Sequence, residues 1–245
     1  IVDEILEQNQ KQKLTTFLDK WLKNKINTIL KSLIDLKNFK DNNTSIKALA
    51  YQLYENNGVL KRENVIEYVK HLDQNDRKVL RDLGVKFGRY HIFLFKLIKP
   101  EAVSLRSLLW KNYHQKYFNL NPPKFGLNFL DNKNLDQKFM LLCGFEKFNN
   151  YFIRIDILER LFVQIINSNN DQDNKNIKMV PEMLNLLGCN KENFKKLLKN
   201  MNYKIIEKNE DIYFKYTPKK ITKKIYTKNN KKESPFNILK NLQLN

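Results

Sequence analysis

The sequence is poor in the residues that bend a chain, cross-link it or bind metals. Its 245 residues include six glycines, six prolines, two cysteines and three histidines. The two cysteines, Cys143 and Cys189, stand 46 positions apart, which argues against a disulfide framework and indicates a reducing compartment. Tetrahedral zinc sites need four ligands, usually in close pairs, and the spacing here provides none, so we predict no metal site.

Catalytic motifs and membrane spans are missing too. No glycine precedes a lysine, which excludes a Walker-type phosphate loop, and no GxSxG or HExxH sequence occurs. We therefore assign this chain no catalytic residues and no cofactor. Lysine interrupts the longest apolar stretches, as at Lys96, so we expect no membrane contact. With no signal peptide at its start, the chain is expected to be cytoplasmic.

Positive charge is what the sequence has in excess. Lysine and arginine number 45 against 26 acidic residues, a net charge of +19. Residues 1–118 carry +9, residues 119–189 are neutral and residues 190–245 carry +10. The 34 asparagines, three alanines and 38 lysines against seven arginines indicate A+T-rich codons, so part of the charge reflects mutational drift. The C-terminal concentration still predicts a polyanionic partner, RNA or DNA.

The first half of the chain has helical periodicity. Apolar residues at three- and four-residue steps predict one long amphipathic helix over residues 12–37. Shorter helices are predicted over residues 45–54, 62–72 and 73–83, and from Pro100 onward. The stretch 85–99 fits either a strand or a buried helix. We predict a helical bundle over residues 1–118.

Beyond Pro122-Pro123 the pattern changes. A hairpin is predicted around Asn149-Asn150, and two short helices separated by Gly188 precede a second hairpin at residues 203–216. This order is typical of a helix-turn-helix followed by a wing. The predicted fold is therefore mainly α with small β-hairpins: the bundle, a winged-helix-like module over residues 119–217, and a basic, largely disordered tail over residues 218–245.

Two sets of side chains are candidates for binding. Nucleic-acid contacts are predicted for lysines of the second short helix, of the wing and of the tail: Lys191, Lys195, Lys199, Lys204, Lys208, Lys219, Lys220, Lys223 and Lys224. The alternative is a solvated lysine surface used for protein contact, with the tail a solubilising linker. Apolar character returns at the end of the chain, and partner docking is predicted for Pro235, Phe236 and Leu239.

The order of residues across much of the chain resembles one family. The matching segments are Ala48–Leu53, Asn57–Leu60, Leu72–Gln74, Leu83–Leu94, Leu97–Pro100, Gly144-Phe145, Ile153–Leu161, Leu187–Cys189 and Ser234–Phe236. They are similar to the region behind the motor of bacterial DExH-box superfamily-two helicases related to the mitochondrial RNA degradosome helicase. The block Gly84–Pro100 is the most specific part. All seven arginines lie within residues 44–239, the span over which these segments are distributed, which indicates positions that use guanidinium geometry.

The resemblance implies a parent protein that hydrolyses ATP with magnesium and unwinds RNA or DNA, with its catalytic motifs upstream of Ile1. This chain is then expected to be the accessory region that guides a single strand and binds a ribonuclease or ribosomal protein. Lys86 and Arg89, inside the most specific block, join the predicted nucleic-acid contacts. The rival hypotheses are a protein-interaction module and a stand-alone helix-turn-helix DNA-binding protein. Only Asn193 is suited to reading bases on the presumed recognition helix, which counts against the second rival.

Overall fold

The computed structural model describes residues 7–41, 43–115, 119–132, 134–169, 176–208 and 211–217. These residues form a mixed α/β structure that is about 58% helical and contains three small antiparallel sheets of three strands. The predicted majority of helix with short hairpins is confirmed at this level. The predicted tail lies outside the described residues.

Two helices, α1 (Gln8–Ile29) and α2 (Lys31–Lys37), stand where the sequence predicts one. The break is at Leu30, whose φ of −98° and ψ of 18° leave helical geometry. Because of this break, Leu33 and Leu36 of α2 point into the apolar core that covers the first sheet. Of the apolar residues of α1, Ile26 and Ile29 near its end pack against this core, and none of the side chains of α1 is fully buried.

The first unit is built around one sheet. It consists of α3 (Thr44–Glu55), β1 (Val59–Lys61), α4 (Ile66–Lys70), α5 (Gln74–Asp82), β2 (Val85–Phe87) and β3 (His91–Leu94). The stretch 85–99, for which the sequence fits either a strand or a buried helix, thus forms two strands and then a 3-10 turn over Phe95–Ile98. A strand forms there because Gly84 ends the preceding helix with a φ of +92° and the four residues of β3 are all buried. The predicted bundle therefore contains a sheet.

Two further units follow. The second comprises α6 (Pro100–Tyr113), β4 (Phe129–Asp131), α7 (Gln137–Leu142), β5 (Phe145–Phe148) and β6 (Tyr151–Arg154). The third comprises α8 (Ile155–Asn169), β7 (Ile177–Lys178), α9 (Pro181–Leu187), α10 (Lys191–Asn200), β8 (Tyr203–Lys208) and β9 (Asp211–Tyr216). Both predicted hairpins and the helix pair around Gly188 are confirmed as elements. Left-handed backbone at Asn149 and Gly188 makes two of these turns.

The three units share one order of elements: a helix, a strand, one or two helices, and a hairpin. In every sheet the last strand lies in the middle, giving the orders β1-β3-β2, β4-β6-β5 and β7-β9-β8. Each unit encloses its own apolar cluster. A fourth small cluster, of Val59, Phe93, Ile98 and Ile155, joins residues of the first unit to the start of α8. From the sequence, a helix-turn-helix followed by a hairpin was predicted only in the third unit, and without its first strand.

The turn of the first hairpin is fastened to α8 by a single carboxylate. Glu159 accepts hydrogen bonds from the backbone N–H groups of Arg89, Tyr90 and His91, the last two at 2.9 Å. Successive N–H groups pointing at one anion form a strong anion-binding turn. Gly88 permits the close approach, because a Cβ at this position would overlap the carboxyl group of Glu159. The first unit is thereby joined to the third.

A second carboxylate joins the first sheet to the second. Glu146, buried on β5, lies 3.0 Å from Nε2 of buried His91 and accepts a 2.7 Å hydrogen bond from Lys61. The other ring nitrogen, Nδ1, lies 3.6 Å from Oε1 of Glu159. Burial by itself lowers the pKa of His91, but the hydrogen bonds and charges of Glu146 and Glu159 outweigh it, so the pKa is raised. Burial likewise opposes ionisation of Glu146, whose pKa His91 and Lys61 nevertheless lower.

We expect these junctions to make stability depend on pH. Because the pKa of His91 is raised above its ordinary 6.5, its contribution is complete below that pH and is lost as the pH rises through the folded-state value. Glu146 has the opposite effect. Because its pKa is lowered, its contribution to stability is complete above about pH 4.5 and is lost as the pH falls through the folded-state pKa. The free energy of unfolding, measured with urea, should therefore fall as the pH rises above about 6.5 and through the raised pKa of His91. His91→Gln should flatten this slope, whereas His71→Gln at an exposed position should preserve it.

Gly88→Ala should destabilise the fold by about 1–3 kcal/mol, the usual cost of overpacking. The cost should nearly vanish when the same change is made in a Glu159→Ala background, because the clashing carboxyl group is then gone. Urea denaturation of the four proteins of this cycle measures the coupling. Equal costs in both backgrounds would show that the contact does not constrain this glycine.

Candidate nucleic-acid interface

The lysines predicted on α10 differ in their surroundings. Lys191 and Lys199 are exposed. The side chain of Lys195 is only 20% exposed, and its ammonium lies 2.8 Å from Glu207 and 3.4 Å from Glu192. Lys195 is thus engaged with carboxylates of its own unit, and its charge is largely compensated.

The hairpin of the second unit covers part of α10. The amide of Asn149 donates to Oδ1 of Asn200 at 2.7 Å, and the hydroxyl of Tyr151 donates to Oδ1 of Asn193 at 3.4 Å. Both asparagines of α10, Asn193 and Asn200, are therefore turned toward the second unit. This side of α10 is not presented to a DNA groove.

The predicted wing lysines lie on the other side of the third sheet. Side chains alternate along a strand, so Lys204 and Lys208 point away from the face on which Glu207 reaches α10. Register places Lys215 opposite Lys204, and Lys178 opposite Tyr213. We call Lys178, Lys204, Lys208, Lys215 and Tyr213 the outer lysine face. The structure brings the two wing lysines together with this face, not with the lysines of α10.

Charge on the outer lysine face is incompletely neutralised. Lys178 forms a 2.6 Å ion pair with Asp211. Among the described residues, no carboxylate lies within ion-pair distance of Lys204, Lys208 or Lys215. Directly opposed like charges destabilise a strand pair, and Lys204 and Lys215 form such a pair. A row of phosphates offers the negative charge that this face lacks.

The remaining predicted residues lie elsewhere. Lys86 is exposed on β2, and Arg89 is exposed at the turn of the first hairpin. The guanidinium of Arg89 lies 5.6 Å from the ring centroid of Phe162 on α8, within cation–π range. Several predicted residues fall outside the described ranges: Lys219, Lys220, Lys223, Lys224, Pro235, Phe236 and Leu239.

Three members of the outer lysine face, Lys178, Tyr213 and Lys215, are not among the contacts predicted from the sequence. Two-residue periodicity was the available signal: Lys204, Ile206 and Lys208 alternate on β8 as Asp211, Tyr213 and Lys215 do on β9. Nothing local reveals Lys178, because the pairing of β7 with β9 joins residues far apart in the chain.

Comparison with family models, with curated proteins and with solved structures found no match for this chain. Within the described ranges, no helix is long and apolar enough to cross a membrane. No group of three or more metal-ligating side chains comes together in the same part of the chain.

Replacing one lysine of the opposed pair should stabilise the protein. Lys204→Glu converts a repulsive cross-strand pair into an attractive one, so the free energy of unfolding should rise by about 0.2–1 kcal/mol at low salt. High salt should reduce the gain, since exposed charges are screened. Lys20→Glu, which makes the same change of net charge on exposed α1, is the control. An equal gain in the control would assign the effect to net charge.

Proposed function

We propose that this chain is a non-catalytic part of an ATP-dependent RNA or DNA helicase and that it binds single-stranded nucleic acid. The observation that carries the proposal is the outer lysine face, where three lysines without an ion-pair partner among the described residues lie around the ring of Tyr213. The association with a helicase rests on the resemblance of the matching segments, strongest over Gly84–Pro100.

The chemistry of the outer lysine face suits a single strand. Lysines contact phosphates without reading sequence, and binding of this kind weakens steeply with salt. Tyr213 and its cross-strand neighbour Ile206 are partly exposed between the lysines and offer a surface on which bases stack. A single strand exposes base faces and phosphates together, whereas a duplex hides the base faces.

We interpret the three units as winged-helix-like. The interpretation is supported by the repeated order of helices, first strand and closing hairpin, and by the central position of the last strand. It makes α10 the recognition helix of the third unit. Because Asn193 and Asn200 of α10 contact the second unit, we assign the nucleic-acid contact to the sheet.

A protein-interaction role is the second candidate, and one observation favours it. α1 exposes a stripe of large apolar side chains: Leu14, Phe17, Leu18, Trp21 and Leu22. Five lysines against one aspartate make this helix basic, so an acidic amphipathic helix is the partner it fits. The stand-alone helix-turn-helix reader is less favoured, because its recognition helix is partly covered.

Binding of the 245-residue chain to a labelled oligonucleotide of about 15 nucleotides, followed by fluorescence anisotropy over a range of salt, tests the first proposal. The logarithm of affinity should fall linearly with the logarithm of salt concentration, with a slope of about −0.7 per phosphate contact. The triple variant Lys204→Gln, Lys208→Gln and Lys215→Gln should bind more weakly and make the slope shallower by about 2.

The matched control removes the same charge from α10, through Lys191→Gln, Lys196→Gln and Lys199→Gln. It should leave the slope almost unchanged. A loss confined to the α10 variant would move the contact to the helix and contradict the assignment to the sheet. Absence of binding at low salt in the unmodified chain would overturn the nucleic-acid proposal and leave the protein-interaction role.

A further inference from the structure

A cavity of about 400 Å³ opens between the turn of the first hairpin and the third unit. Its walls combine residues of that turn, of α8 and of the third sheet: Arg89, Tyr90, Phe162, Ile165, Ile166, Ile177, Tyr203, Lys215 and Tyr216. The volume falls in the range of small-molecule sites, which begins at about 300 Å³. We call it the Arg89–Tyr216 pocket.

The pocket is aromatic and aliphatic inside and positive at its edge. Its floor consists of the nearly buried Ile165, Ile177 and Tyr203. The rings of Tyr90 and Phe162 meet edge to face at 5.5 Å, and Tyr216, 49% exposed, borders the opening. Burial raises the pKa of Tyr203, so its hydroxyl stays a neutral hydrogen-bonding group at physiological pH.

The charged residues at the pocket indicate that its ligand carries negative charge. Two cations, Arg89 and Lys215, line it, and none of its described lining residues is a carboxylate. Arg89 is held in place because its backbone N–H is bound by Glu159 and its guanidinium lies over the ring of Phe162. A ligand with a flat apolar part and an anionic part beside it satisfies both the interior and the edge.

The pocket lies at the end of the third sheet, on the opposite side of the sheet from the outer lysine face. Tyr203 and Tyr216 are the last cross-strand pair of the third sheet, and the next pair is Lys204 and Lys215. Lys215 belongs both to the outer lysine face and to the pocket lining. A strand that lies along the lysines therefore reaches the pocket by passing round the end of the sheet beside Lys215.

We propose that the Arg89–Tyr216 pocket binds one unstacked nucleobase of a single strand, with neighbouring phosphates contacting Arg89 and Lys215. The proposal rests on the proposed nucleic-acid function and adds to it the place where a base leaves the stack. Aromatic side chains bind bases of every sequence, because each base has a π-face. The pocket thus holds the strand by its bases, while the outer lysine face holds it by its phosphates.

The test compares two oligomers of about 15 units with equal charge. One is oligothymidylate, and the other is a chain of abasic sugar phosphates. Tyr216→Ala removes the ring at the opening, and Ile166→Trp fills the opening from an exposed position on α8 without changing charge. Tyr51→Ala, which removes another exposed tyrosine, is the matched control.

Tyr216→Ala and Ile166→Trp should each weaken oligothymidylate binding by about 5- to 100-fold, the range given by base–aromatic stacking, and leave abasic binding unchanged. Tyr51→Ala should behave like the unmodified protein. Equal losses for both oligomers, or none for either, would overturn the pocket proposal while the nucleic-acid function stands. If the unmodified chain binds neither oligomer, the proposed function itself fails. The thermal unfolding midpoint of each variant, measured alongside, checks that the third unit remains folded.

Discussion

Two carboxylates, one buried at Glu146 and one partly buried at Glu159, hold the three units in one arrangement. Glu159 binds three consecutive backbone N–H groups of the first hairpin, and Glu146 binds His91 and Lys61 of the first sheet. Removing charged carboxylates from water is costly, so such groups persist only where strong hydrogen bonds compensate the loss. His91 lies between both. The position of Arg89, and with it one wall of the Arg89–Tyr216 pocket, depends on these bonds.

The most specific block of the sequence, Gly84–Pro100, has a structural explanation in these same contacts. It contains the turn that Glu159 binds, the strand that carries His91 and the glycine that allows close approach. Arginine usage also follows structure. Buried Arg106 donates to the carbonyls of Asn57 and Leu97 at 2.7 and 2.6 Å, and burial lowers its pKa to about 10. A lysine ammonium has no planar fork with which to bind both carbonyls in this way.

The sequence alone was sufficient for the elements with strong local signals. Two turns, at Asn149 and Gly188, and helix α10 depend on residues that are close together in the sequence, so local patterns predict them. The repetition of three units was not visible, because strands of two to four residues such as β1 and β7 are too short for alternation to stand out. Of the candidate site, Lys204 and Lys208 were found. Their grouping with Lys178 depends on pairing between distant strands, which no local pattern encodes.

The junction between the second and third units has a mechanical consequence. β6 ends at Arg154 and α8 begins at Ile155, so the last strand of one unit continues directly into the first helix of the next. Ile155 is fully buried, and Arg154 is clamped to Asp156 at 2.7 Å. Because no linker separates the two units, a force applied to the third sheet would pass through this joint to the second. The second and third units are therefore joined rigidly, without a flexible linker between them.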